Sequence, residues 1–291
     1  MRKKYGQYLP RAFVLVVTLA ASLAHALPFD FTTLDVPKNF RPPFSITAYG
    51  INDDGAMVGE FNMGTVSPAF VYRDGKFMPL EMTRNTEACG INNAGLIVGY
   101  FLDKTGAHSF IYNERTFTSL TLNYPGVVNT NASGINNHGI VVGSFDDHTG
   151  MHGFFGHDEA FSTLNFPGSN FTQANGINNK GIIVGSYWDH AKNIHGYVFS
   201  KGGFRTLDVD VPGAINTQPF GINDKDQIVG FYRVGFVKHG FIYDAGHFTT
   251  LDFPEATGTQ AFGINNIGIV VGAYSKGDMS YAFVASPRRN R

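Results

Sequence analysis

The tripeptide Gly-Ile-Asn occurs six times, beginning at Gly50, Gly90, Gly134, Gly176, Gly221 and Gly263. The intervals are 40, 44, 42, 45 and 42 residues. That period is too long for a leucine-rich or hexapeptide solenoid and matches the size of a propeller blade. Residues 29–286 hold all six copies, about 43 residues each, with almost no linker and no break in composition. One repeat domain is expected.

Within a copy, four short apolar segments alternate with turn chemistry. The first carries Gly-Ile-Asn and runs into a turn such as Asn93-Ala94-Gly95, Asn137-His138-Gly139 or Asn179-Lys180-Gly181. Asn can bond its own backbone in such a turn, and Gly supplies the positive φ of a tight hairpin. The fifth copy has Asp224-Lys225-Asp226 instead, and Asp tolerates the left-handed region at some cost. The second segment pairs β-branched residues with a glycine, as in Ile183-Val184-Gly185. Two places later every copy has an aromatic: Phe61, Phe101, Phe145, Tyr187, Tyr232 and Tyr274. The third is His-Gly-Phe-like and the fourth Phe-x-Thr-Leu-Asp-like, joined by short turns such as Asp74-Gly75. β-branched and aromatic enrichment at this spacing predicts strands, and no helical period is sustained. The fold class is all-β, with six four-stranded units.

The order of segments predicts a closed ring. The first copy is preceded by Phe31-Thr32-Thr33-Leu34-Asp35, a fourth-strand sequence without partners, and the chain's last copy stops after a third strand, Tyr281-Ala282-Phe283-Val284. Pairing the two would complete the last unit and hide an open edge. The expectation is a six-bladed β-propeller closed by the N-terminal strand.

Outside the repeats, Arg2, Lys3, Lys4 and Arg11 lead into a 12-residue largely apolar run, Ala12–Leu23, and the triplet Ala24-His25-Ala26. This reads as a Sec-type signal peptide. The run is shorter than the ~20 residues a membrane span needs. The expected division is a leader over 1–26, a propeller over 27–286 and a short basic tail over 287–291, with periplasmic or extracellular residence. Without the leader's four basic residues the chain has 18 Lys+Arg against 23 Asp+Glu, a formal −5. Phosphate binding needs clustered Lys and Arg, so nucleic acid is not an expected partner. The single cysteine, Cys89, permits no internal disulfide. It stands where other copies have Tyr49, Ser133, Asn175, Phe220 and Phe262, which favours a small packed residue over a nucleophile.

The third-strand triplets are Pro68-Ala69-Phe70, His108-Ser109-Phe110, His152-Gly153-Phe154, His195-Gly196-Tyr197, His239-Gly240-Phe241 and Tyr281-Ala282-Phe283. With Gly-Ile-Asn-Asn-x-Gly and the following Ile-Val-Gly, they resemble the bacterial HAF-type extracellular repeat family over essentially the whole chain after the leader. The resemblance implies an exported repeat protein of unassigned biochemical role. Many such relatives end in a sorting anchor of the PEP-CTERM kind; this sequence stops at Arg291 without a C-terminal hydrophobic helix, and release or periplasmic residence is the expectation.

Two groups of residues invite a functional reading. His108, His152, His195 and His239 share one repeat position. On a third strand they stand at least roughly 10 Å outside the innermost one, too far for metal–nitrogen bonds of about 2.1 Å across the axis. A structural pairing with Asp103, Asp147 and Asp189 in the preceding loops is expected, and no metal or cofactor. The second group lies three residues before each repeat glycine: Thr47, Glu87, Asn131, Gln173, Gln218 and Gln260, with Thr86, Thr130, Thr172, Thr217 and Thr259 before five of them. Starting the innermost strand, these would ring one channel mouth, with Trp188, His190 and Arg233 on loops of the same face. Amides bond hydroxyls and aromatic faces pack on sugar C–H groups. The reading is a monomeric, non-catalytic binding or scaffold protein for a glycan or envelope protein. The alternatives are a carbohydrate-active enzyme using Glu87 and loop acids such as Asp146, and a structural matrix component. A glycosidase normally uses two carboxylates, and the repeat places only one.

Overall fold

The computed structural model describes residues 29–34, 45–80, 85–114, 116–158 and 160–288. The leader assigned to 1–26 and residues 289–291 of the tail lie outside these. Twenty-four strands form six antiparallel four-stranded sheets. Blade one pairs Ser45–Ile51, Met57–Asn62, Ala69–Arg73 and Lys76–Pro79 in that order. The next four blades repeat it from the innermost strands Thr86–Ile91, Asn129–Ile135, Thr172–Ile177 and Ala214–Ile222. In blade six, Gly258–Ile264, Val270–Lys276 and Met279–Pro287 take Phe29–Thr33 as their outer strand. The register runs from Phe29 opposite Pro287 to Thr33 opposite Phe283. Each innermost strand touches its two neighbours, the sixth returning to the first. The molecule is a six-bladed β-propeller closed by its N-terminal strand.

Pro287 belongs to that last strand, and Arg288 Nε donates to Asp30 Oδ1 at 2.7 Å. The start of the segment read as a tail is therefore part of the closure.

The repeat residues fall into place around the axis. Along the innermost strand alternate residues are buried, as at Ile46 and Ala48, while the residues between them are half-buried. The ladder to the second strand slips by one residue in every blade, between Ala48 and Gly50 in the first. Such a bulge leaves one residue unpaired and re-aims its side chain. The glycine after it lies against the next blade: a Cβ on Gly90 would stand 3.1 Å from the Gly134 Cα. The second-strand glycine is tighter still, since a Cβ on Gly143 would stand 2.0 Å from the Asn131 carbonyl and 2.8 Å from the Phe154 ring. Third-strand aromatics such as Phe70, Phe110 and Phe154 are fully buried over these glycines. Six apolar clusters lie between successive blades, one of them joining Ile46 and Ala48 to Val271 and Ala282 across the closure.

The asparagines do more than form turns. Asn52 Nδ2 donates to the Asn92 carbonyl, and the same bond recurs from Asn92, Asn136, Asn178 and Asn223 to the next blade. Asn265 returns it to the Asn52 carbonyl at 3.1 Å. A second ring runs through the following residue. The Asp53 amide donates to Asn93 Oδ1, and so on through Asn137, Asn179, Asp224 and Asn266 back to Asp53. The first asparagine does bond its own turn, accepting from the amide four residues on, as Asn136 Oδ1 does from Ile140. The second faces the neighbouring blade instead. Asp226 takes the turn's left-handed place in blade five with φ of 64°.

Candidate functional site

The bulged residues point into the channel. Tyr49, Cys89, Ser133, Asn175, Phe220 and Phe262 all line an axial cavity of about 210 Å³. Glu87, Asn131, Gln173 and Tyr100 complete its polar part. The wall is divided. Phe220 and Phe262 meet edge to face at 5.0 Å, and Tyr49 lies 5.1 Å from Phe262, so blades five, six and one supply an aromatic arc. Blades two to four supply carboxyl, amide, hydroxyl and thiol groups. Beyond the cavity, Ile51, Ile91, Ile135, Ile177, Ile222 and Ile264 separate it from a smaller space of about 70 Å³ beneath the asparagine rings.

One corner is acidic. Tyr100 OH donates to Glu87 Oε1, and Tyr49 OH donates to Glu60 Oε1 at 3.1 Å. Glu60 is on the second strand of blade one, opposite Thr47. Burial, then the Glu87 charge, push the Glu60 carboxyl up to about 7, against the Tyr49 hydrogen bond. Burial raises Glu87 too, and it raises the Tyr49 and Tyr100 hydroxyls, with the carboxylates adding to the effect. The Cys89 thiol is pushed well up by burial and by Glu87 and Glu60. A nucleophilic cysteine needs the opposite shift. Asn131 Oδ1 is buried without a hydrogen-bond partner.

The residues singled out in the sequence separate into several places. Glu87, Asn131 and Gln173 share the axial cavity; Thr47, Gln218 and Gln260 are not among its lining. Gln260 accepts from Lys238 Nζ at 2.9 Å. The threonines before the ring turn inward instead: Thr130, Thr172, Thr217 and Thr259 accept from the amides of Ser109, Phe166, Val209 and Phe253. Trp188 and His190 line a different hollow with Gly168, Asn170, Asp189 and Lys192, the indole stacked on Phe171 at 4.1 Å. Arg233 Nε is buried without a partner beside Lys238 on the fifth blade. Asp146 accepts from Asn129 Nδ2 at 3.2 Å and is not among the cavity lining.

Three of the repeat histidines meet loop aspartates: His108 with Asp103, His152 with Asp147 and His195 with Asp189, at 3.1–3.2 Å. The fourth-strand Leu-Asp motif supplies a second partner to His195, which reaches Asp208, and the aspartate partner of His239, which reaches Asp252, both at 2.7 Å. His239 uses that bond alone among these aspartates. Each of the two carboxylates also takes the next amide of the third strand, Gly196 or Gly240. This joint dependence of the His-Gly and Leu-Asp motifs was readable only in their co-occurrence. Among the described residues no three His, Cys, Asp or Glu form a metal-holding group, and no helix is long and apolar enough to cross a membrane.

No family model matches the chain, and no curated protein matches it. Solved structures do. TolB from Acinetobacter baumannii superposes with a TM-score of 0.58 at 12% identity over 70% of this chain, which spans about half (52%) of TolB. A structural-genomics target named for a gluconolactonase gives 0.56 at 12% identity, covering 90% of this chain and 93% of that one. The SapL1 lectin, solved with alpha methyl fucoside, gives 0.56 at 12% identity over 84% and 95%. At such identities the likeness is one of fold.

Proposed function

We propose that this is an exported, non-catalytic binding protein of the HAF-repeat type, and that its axial cavity takes a single sugar unit of a glycan. The observation that carries the reading is the divided wall. The Phe220–Phe262–Tyr49 arc faces Glu87, Asn131, Gln173 and Asn175 across one space. An aromatic arc packs on ring C–H groups, and carboxyl and amide groups bond hydroxyls. A volume of about 210 Å³ lies below the ~300–1,000 Å³ of drug-sized pockets, which favours one ring over an oligosaccharide. The same fold serves a fucoside-binding lectin, SapL1, which supports the reading without fixing the sugar.

Glycoside hydrolysis is the competing reading, and the Glu60–Glu87 pair favours it over any loop acid. Glu60, however, is not among the cavity lining and is bonded to Tyr49, whose ring does line the cavity. Only Glu87 would touch a glycosidic bond there. Residues 27–291 should bind members of a monosaccharide panel in calorimetry, with affinity reduced about tenfold or more by Gln173→Ala or Phe262→Ala. Glu87→Gln should abolish no turnover, because none is expected. Hydrolysis of any glycoside by the wild type would replace this reading with the enzymatic one.

A further inference from the structure

Resting on that reading of the cavity, we propose that its ligand is a sugar ring bearing one ammonium group, seated at the corner where Glu87 meets the aromatic arc. Three observations converge on a donor-rich cation. First, the lining contains no Lys, Arg or His, while Glu87 faces the cavity and Glu60 lies behind Tyr49. Neither glutamate has a cationic partner among the described ion pairs. A buried carboxylate without a counter-charge is costly, and a bound cation would remove that cost. Second, the Asn131 Oδ1 acceptor is buried and lacks a donor. An ammonium carries three N–H donors, enough for Glu87 and an amide oxygen of the same lining. Third, Tyr49, Phe220 and Phe262 line the same cavity, and aromatic rings attract an organic cation placed over their faces.

An organic cation fits this wall better than a metal ion. The described residues hold no group of three or more His, Cys, Asp or Glu, and an aromatic arc offers a hard cation no ligand. A neutral sugar would bond Glu87 through its hydroxyls but would leave the negative charge there uncompensated.

The groups facing Glu60 and Glu87 are Tyr49 on the first strand of blade one, Cys89 beside Glu87 on blade two, and Tyr100 on that blade's second strand. All are neutral or acidic. Glu60 holds its proton up to about pH 7 in the free protein. A cation in the corner stabilises the ionised form, so binding near pH 6.5 releases a proton, and affinity rises as pH rises through Glu60's titration.

The test is calorimetry of the wild-type protein with glucosamine, glucose and N-acetylglucosamine, at pH 5.5 and 7.0 and in buffers of different ionisation enthalpy. Glucosamine should bind about tenfold or more tightly than the two neutral sugars, and more weakly at pH 5.5 than at pH 7.0. Its binding should release protons to the buffer, and Glu87→Gln should erase the preference. Equal or tighter binding of the neutral sugars would overturn the ammonium inference and leave the saccharide reading standing. Binding of none of the three would remove both.

Discussion

Glu60 occupies a position where the other blades carry Tyr100, Ser144, Ser186, Phe231 and Ala273. Its burial next to Glu87 therefore serves no repeat-wide structural purpose, and it has a thermodynamic cost. Folded Glu60 keeps its proton to about pH 7, whereas an unperturbed glutamate loses it near 4.5. Between those values the native state binds more protons than the unfolded chain, so stability falls as pH rises through the window and the penalty is complete above it. Moving a carboxyl from 4.5 to about 7 is equivalent to about 3 kcal/mol. Glu60→Gln keeps the shape and the bond from Tyr49 while removing the charge. We expect it to raise the melting temperature by several degrees at pH 8 and to change it little at pH 4, where native and unfolded glutamate are both protonated. A thermal-melt series across pH checks this. An equal effect at both pH values would mean that packing, rather than ionisation, governs the site.

The blade is built around two glycines that do different work from the turn glycines, and substitution separates them. Gly143 is where the Asn131 carbonyl and the Phe154 ring close on the second strand; an added Cβ meets that oxygen at 2.0 Å and the ring at 2.8 Å. Gly139 has φ of 78° in an open hairpin with nothing within 4 Å. Gly139→Ala should cost about 1–2 kcal/mol, the price of a left-handed alanine. Gly143→Ala should cost more than about 3 kcal/mol, because backbone on both strands must move. Urea denaturation of the two variants compares them directly. Much at this scale was legible in the sequence: the repeat itself averages six times over local noise, so strand type, turn chemistry and the aromatic after Val-Gly stand out. The bulge was not legible, because a one-residue slip in pairing leaves no mark in composition. It decides which residues face the axis: Tyr49 and its five equivalents all line the cavity, while of the residues two places earlier only Glu87, Asn131 and Gln173 do. Trp188 stands out by residue type alone, and the fold stacks it on Phe171 and places it in a separate hollow. Glu60 is not legible in the sequence because its meaning depends on Glu87 in the next blade, 27 positions on, where the repeat predicts nothing.

At the scale of the molecule, closure is carried twice, at two radii. Near the axis, the paired hydrogen-bond rings run from blade six back to blade one through Asn265 and Asn266. At the rim, Phe29–Thr33 completes blade six, the Leu34 amide donates to Ala282, and Phe31 packs on Phe253 and Phe283 at 5.5 and 5.7 Å. The axial rings bond blades side by side, but only the rim strand hides a sheet edge. Removing residues 29–34 should therefore leave the ring intact at its centre and open an unpaired strand, Met279–Pro287, along its outside. An exposed edge of that length recruits another chain. We expect the truncated protein to melt several degrees lower and to associate with rising concentration, seen by calorimetry and by light scattering on a sizing column. A synthetic peptide of residues 29–34 should bind the vacated edge and raise the melting temperature in proportion to the logarithm of its concentration above Kd, while suppressing association. A truncated chain that remains monomeric and melts with the parent would assign closure to the axial rings alone. Rescue by the peptide would show that the rim strand holds the last blade by pairing, as the register from Phe29–Pro287 to Thr33–Phe283 requires.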